Sequence, residues 1–97
     1  MVGKNEDLQF YIRDMIKKID DNFVIIFNQQ YIHVSYKLTK NSNEKTLSFI
    51  KVIRVLMKYI RLEKMLIQND LVSSEHKTME LSDLRIKVEF PLKRIKN

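Results

Sequence analysis

The side chains able to do chemistry in this chain are mostly cations: 18 Lys and Arg stand against 12 Asp and Glu, with two His and no Cys. Without cysteine there is no disulfide framework, no thiolate zinc site and no cysteine nucleophile. The one glycine, Gly3, lies near the start of the chain, so no glycine loop cradles phosphates and no strained nucleophile elbow forms. His33 and His76 lack the His or carboxylate spacing of a metal site, and neither a metal nor a cofactor is expected. Ser73, Ser74, Glu75 and His76 include the residue types of a hydrolytic triad, but adjacency along the chain is not triad geometry, and a polar loop is the simpler reading. Asp20-Asp21 likewise reads as a solvated helix end rather than a carboxylate dyad. The expectation is a non-enzymatic protein that works by binding.

What it binds is suggested by charge. The formal net charge is +6 and the isoelectric point is about 9.6, which suits a polyanion such as DNA or RNA. Two surfaces could present that charge. Lys51, Arg54, Lys58 and Arg61 follow at spacings of three, four and three, which on a helix makes one line able to track phosphates. An ordinary solvated helix face is the plainer alternative, and Met57 and Met65 beside the cations suggest that part of this side is covered. The second surface is a sheet face on which Tyr31, His33, Ser35 and Lys37 are joined by Arg85, Lys87 and Glu89. Aromatics interleaved with cations on an open sheet can stack bases while holding phosphates. A protein partner is the competing reading: a regulator or inhibitor acting by occlusion, of the anti-defence or cell-division-regulator kind, touched through Phe10, Phe23, Ile25 and Phe27. The same apolar strand leads us to expect a homodimer. The basic tail Lys93, Arg94 and Lys96 serves either reading.

The elements that must position these residues are legible from periodicity. Asn5 reads as an N-cap with Glu6 and Asp7 in the first turn, and Leu8, Tyr11, Ile12, Met15, Ile16 and Ile19 then share an arc of about 140° on a helix. Phe10 breaks that pattern on the polar side. Phe23 to Phe27 is a continuous apolar run that suits a strand covered on both faces. After the turn Asn28 to Gln30, Ile32, Val34, Tyr36 and Leu38 alternate with polar residues and predict a hairpin strand. Thr39 to Lys45 reads as a loop. Thr46 to Gln68 predicts a long helix whose buried half-turn includes Phe49, Val52, Ile53, Val55, Leu56, Tyr59, Ile60, Leu62, Leu66 and Ile67, with Lys51, Arg54, Lys58, Arg61 and Lys64 opposite. Residues 71–83 are ambiguous, since Val72 and Thr78 to Leu81 fit either a short extra strand or a loop. Leu84, Ile86, Val88 and Phe90 alternate with Arg85, Lys87 and Glu89 as a last strand that ends at Pro91.

The expected fold is a single α+β domain over residues 1–97, with loose termini at 1–4 and 92–97. Its order is α-β-β-α-β, two-layered, with an antiparallel sheet of three to four strands and both helices on one face. No stretch reaches the 18 or so apolar residues of a membrane-spanning helix and no secretory leader is evident, so a cytoplasmic protein is expected. Residues with AT-rich codons (Phe, Tyr, Met, Ile, Asn, Lys) far outnumber Gly, Ala, Arg and Pro, and alanine, the best helix former, is absent. That bias fits a phage or other AT-rich mobile element, and it inflates lysine without selection for binding.

Overall fold

The computed structural model describes residues 2–39, 48–73 and 77–93, with the side chains of the first helix described from Asp7 onward. Helix α1 spans Val2–Ile19, strands β1 and β2 span Val24–Phe27 and Tyr31–Lys37, helix α2 spans Phe49–Gln68, and strands β3 and β4 span Thr78–Ser82 and Arg85–Pro91. The sheet is antiparallel in the order β1-β2-β4-β3. The α+β class, the antiparallel sheet and the α-β-β-α-β succession are as the sequence implies. The ambiguous segment contributes the fourth strand, β3, and Val72 makes an isolated bridge to Leu92. Helix α1 begins at Val2, so Asn5 lies inside it and is not its N-cap. The loop residues 40–45, the helix start at Thr46 and Leu47, and the polar residues 74–76 lie outside the described residues.

The two hairpins repeat one register. The shift that carries Val24 onto Thr78 carries its partner Ser35 onto Glu89, and it carries Val34 onto its own partner Val88. A local twofold axis therefore passes between Val34 and Val88, with β1-β2 on one side and β4-β3 on the other. Burial follows the same rule in the central strands, where Ile32, Val34 and Tyr36 match Ile86, Val88 and Phe90, all buried. These residues alternate with solvent-facing ones, as half-buried antiparallel strands require.

The β1-β2 turn is closed by Asn28, whose Oδ1 accepts from the backbone of Gln30 at 2.8 Å and Tyr31 at 2.6 Å, an Asx turn. In the β3-β4 turn Asp83 and Leu84 have φ of 54° and 58°. Two consecutive positive φ values in a two-residue loop mark the type I′ geometry that suits the twist of a hairpin. Helix α2 ends in a Schellman motif: Leu71 N–H reaches Leu66 O at 3.0 Å and Asp70 N–H reaches Ile67 O at 2.9 Å, with Asp70 at φ 59° where glycine is usual.

The core lies between the helices and the inner sheet face. Ile12 and Ile16 from α1 and Val55, Tyr59, Leu62 and Leu66 from α2 meet Phe23, Ile25 and the buried residues of β2 and β4. The buried arc of α2 is narrower than its apolar arc, because Phe49, Ile53, Ile60 and Ile67 are exposed and Leu56 is half-buried. Strand β1 also differs from expectation. Phe23 and Ile25 face the core while Val24 and Ile26 face solvent, so the run is covered on one side only.

Leu62→Ala should cost about 2 to 5 kcal/mol in urea unfolding, the range for a core leucine, and Leu56→Ala clearly less. Equal losses would place the buried arc elsewhere. Replacing Asp83-Leu84 by Asn-Gly should raise thermal stability by roughly 1 kcal/mol, since an L-residue other than Gly or Asn is disfavoured at positive φ. An unchanged or lower melting temperature would contradict the turn assignment.

Candidate functional site

The helix stripe divides when placed on the fold. Lys58 turns toward α1 and is bound to the Asp20 carboxylate, which also accepts from the Tyr36 hydroxyl at 2.7 Å. Its ammonium lies 5.5 Å from the centre of the Tyr36 ring. Burial alone would raise the Asp20 pKa, but hydrogen bonds from Lys58, the Asn22 backbone and Tyr36 outweigh it and lower the value to about 2. Lys58 is shifted upward, chiefly by its bond to Asp20, and Tyr36 upward, chiefly by burial. Asp20 is therefore no solvated helix end, and Lys58 is a structural tie between α1, α2 and β2. It is withdrawn from any phosphate-tracking line.

Lys51 is half-buried, whereas Arg54, Arg61 and Lys64 are exposed. At 100° per residue Lys64, Met57, Ile50, Arg61 and Arg54 succeed one another round an outward arc of about 80°. Among the described residues no carboxylate pairs with Arg54, Arg61 or Lys64. Five acids are engaged elsewhere: Asp14 with Lys18, Asp20 with Lys58, Glu63 with Lys77, Asp70 with Lys93 and Glu89 with His33. Long side chains whose charge is not offset locally leave a positive potential along the helix.

On the outer sheet face Lys37 stands directly opposite Arg85, and Lys87 lies two residues along β4 opposite Ser35. Like charges facing each other across strands are unfavourable unless an anion or solvent relieves them. Glu80 opposes Lys87 on the other side, however, and Glu89 lies between the cations and Tyr31. Tyr31 is half-buried opposite Pro91, six residues and about 20 Å from Lys37 along β2. The aromatic and the cations expected to act together sit at opposite ends of the face.

His33 shares a hydrogen bond with the Asn28 side-chain amide at Nε2, 3.1 Å, and its Nδ1 is 3.4 Å from Glu89. With the amide donating to Nε2, the ring proton is on Nδ1 toward Glu89. Nε2 is then occupied. A shallow cleft of about 350 Å³ crosses this face between Ile26, Ser35, Thr78, Glu80 and Lys87. Among the described residues no group of three metal-binding side chains converges.

The partner-contact residues also separate. Phe23 and Ile25 are core, so neither is available to a partner; Phe27 is half-buried under the Arg13 guanidinium, 5.5 Å from its ring centre. Phe10 is exposed on α1. Of the tail, Lys93 pairs with Asp70, and Arg94 and Lys96 lie outside the described residues. No helix among the described residues is long and apolar enough to cross a membrane. No protein-family model, curated protein or solved structure matches this chain.

The Asp20 cluster makes acid stability measurable. Its carboxylate stays ionised in the folded chain down to about pH 2, against 3.8 when unfolded, so its contribution is complete above 3.8 and lost as pH falls through 2. With Lys58 about one-third exposed, that contribution is discounted to about 1 kcal/mol. Wild type should exceed Asp20→Asn in urea stability by this amount near neutrality, and the gap should close toward pH 2. A gap independent of pH would refute the assignment.

Proposed function

We propose that this protein is a non-enzymatic nucleic-acid-binding module that engages phosphates through the outward arc of α2. The observation that carries the reading is that, among the described residues, no carboxylate pairs with Arg54, Arg61 or Lys64, while Asp20 and Glu63 are engaged with Lys58 and Lys77. Lys51 flanks the arc and adds to it. Neutralising phosphates releases condensed counterions, so cations without a competing carboxylate are the ones that convert into affinity. The sheet face is the weaker site, since Glu80 and Glu89 dilute Lys37, Arg85 and Lys87 and Tyr31 lies apart from them.

A second reading rests on Ile50 and Met57, which are 63% and 60% exposed within the same arc. An apolar pair between cations suits an acidic, partly apolar protein surface, which this protein would occlude as a regulator. Salt separates the two, because an apolar anchor retains affinity at ionic strengths that screen exposed charge.

Fluorescence anisotropy over a salt series tests the proposal. Binding to duplex DNA or single strands should weaken with salt, and the triple change Arg54→Gln, Arg61→Gln, Lys64→Gln should flatten log K against log salt by up to about three contacts, near 0.9 each for duplex and 0.7 for single strands. The triple Lys37→Gln, Arg85→Gln, Lys87→Gln should change the slope little. No binding at low salt, or a slope set by the sheet triple instead, would overturn the α2 site.

A further inference from the structure

The local twofold axis exposes a mismatch between the two halves of the sheet. Met79 and Leu81 of β3 are the counterparts of Ile25 and Phe27 of β1, and all four point to the helix side, because Met79 pairs with buried Val88 and Leu81 with buried Ile86. On the β1 side that position is covered: Ile25 is 5% exposed and Phe27 half-buried. On the β3 side it is not, with Met79 at 50% and Leu81 at 57%. The flank of α2 above β3 is equally bare, and at 100° per residue Phe49, Ile53, Leu56 and Ile60 share it. A groove of about 230 Å³ between Leu56, Ile60 and Met79 runs down to Val88 and Phe90. Beside it β3 is an edge strand, with no strand beyond it among the described residues.

We infer that a second copy of this chain covers this half, with β3 pairing antiparallel to its counterpart and the two α2 flanks packing over the junction. Three observations select that occupant. Charge is the first: Lys77 beside the groove is neutralised by Glu63, and at 100° per residue Arg61 and Arg54 lie about 80° and 100° round the helix from Ile53, so that Lys64 alone borders the flank. It is the side of α2 on which two copies of charge +6 can approach with Arg54 and Arg61 held away from the junction. Shape is the second. A twofold axis through an antiparallel strand pair keeps Met79 and Leu81 on the helix side of both copies and sets each row beside the other, as an isologous interface requires.

Area is the third. Phe49, Ile53, Ile60, Met79 and Leu81 leave on the order of 600 Å² of surface exposed per copy, so full mutual cover would bury about 1,200 Å², at the lower end of specific interfaces. The expected dimer therefore forms at the edge opposite the Phe23 to Phe27 strand, whose inner face the chain covers itself.

Sedimentation velocity of the untagged full chain across a dilution series tests this. Wild type should sediment as a dimer of the 11.7 kDa chain at tens of micromolar and dissociate on dilution. Met79→Lys with Leu81→Lys should weaken dimerisation on the order of a hundredfold, by placing charges at the centre of the interface. Both positions are exposed in the single chain, so circular dichroism should show an unchanged fold. Ile60→Glu, on a different element, gives the same readout if the strand variant does not fold. Val24→Lys with Ile26→Lys, on the outer face of β1, should leave the dimer intact. A wild-type monomer throughout, or a dimer that survives both the strand and helix changes, would overturn the inference. Which residues contact nucleic acid is read separately, by the anisotropy slopes of the α2 and sheet variants.

Discussion

The hydroxyl of Tyr59 fixes how the two layers meet. It rises from the buried face of α2 to within 2.8 Å of the Val34 carbonyl and 3.0 Å of the Ile86 carbonyl, sharing its one proton between the two central strands. A buried hydroxyl without a partner costs more than the bond gains, so helix α2 has one favourable height and rotation over the sheet. Burial drives the phenol pKa upward, which keeps the donor protonated across the accessible range. Phe23 packs edge-on against both Tyr59 and Tyr36, at 5.0 and 5.1 Å between ring centres, and so carries the constraint from α2 to the start of β1.

Once Tyr59 sets that rotation, the rest of the helix surface is determined. Lys58, one residue earlier, is turned toward α1 and meets Asp20, whose position depends in turn on the helix end and on Tyr36. Arg54 and Arg61 are carried outward, and Ile60 is carried over β3. One buried hydrogen bond thereby sorts neighbouring side chains into a structural ion pair, a free cationic arc and an uncovered apolar flank. The sorting is geometric. Lys58 and Arg54 are alike in chemical type and differ only in where the helix carries them.

Period two in Ile32 to Leu38 and Leu84 to Phe90, and the long apolar phase of α2, made the central strands and both helices legible from residues alone. Strand β3 was obscured because its turn, Asp83-Leu84, lacks the Asn-Gly signature, and Thr78 to Ser82 mixes polar and apolar residues on an edge. In the candidate site the types and spacing of Arg54 and Arg61 were visible, but the removal of Lys58 was not. Its partner Asp20 lies 38 residues away, and no local pattern reports such a pairing. The breadth of the apolar arc on α2 misled for a related reason. A hydrophobic arc records every surface a helix must bury, including any that its own chain leaves uncovered.

The cationic arc and the bare flank are compatible because they occupy different sectors of one helix. Pairing β3 strands would extend the sheet to eight strands with both α2 helices side by side on one layer. Arg54 and Arg61 would remain clear of the junction, with Lys64 at its rim, and all three would appear twice about the twofold axis. Doubling a modest cationic array raises affinity for a continuous polyanion through effective concentration, with no new contact within either copy. On the two proposals together, helix α2 would divide its surface three ways, with one sector completing the core, another meeting a second copy and the third left to face phosphates.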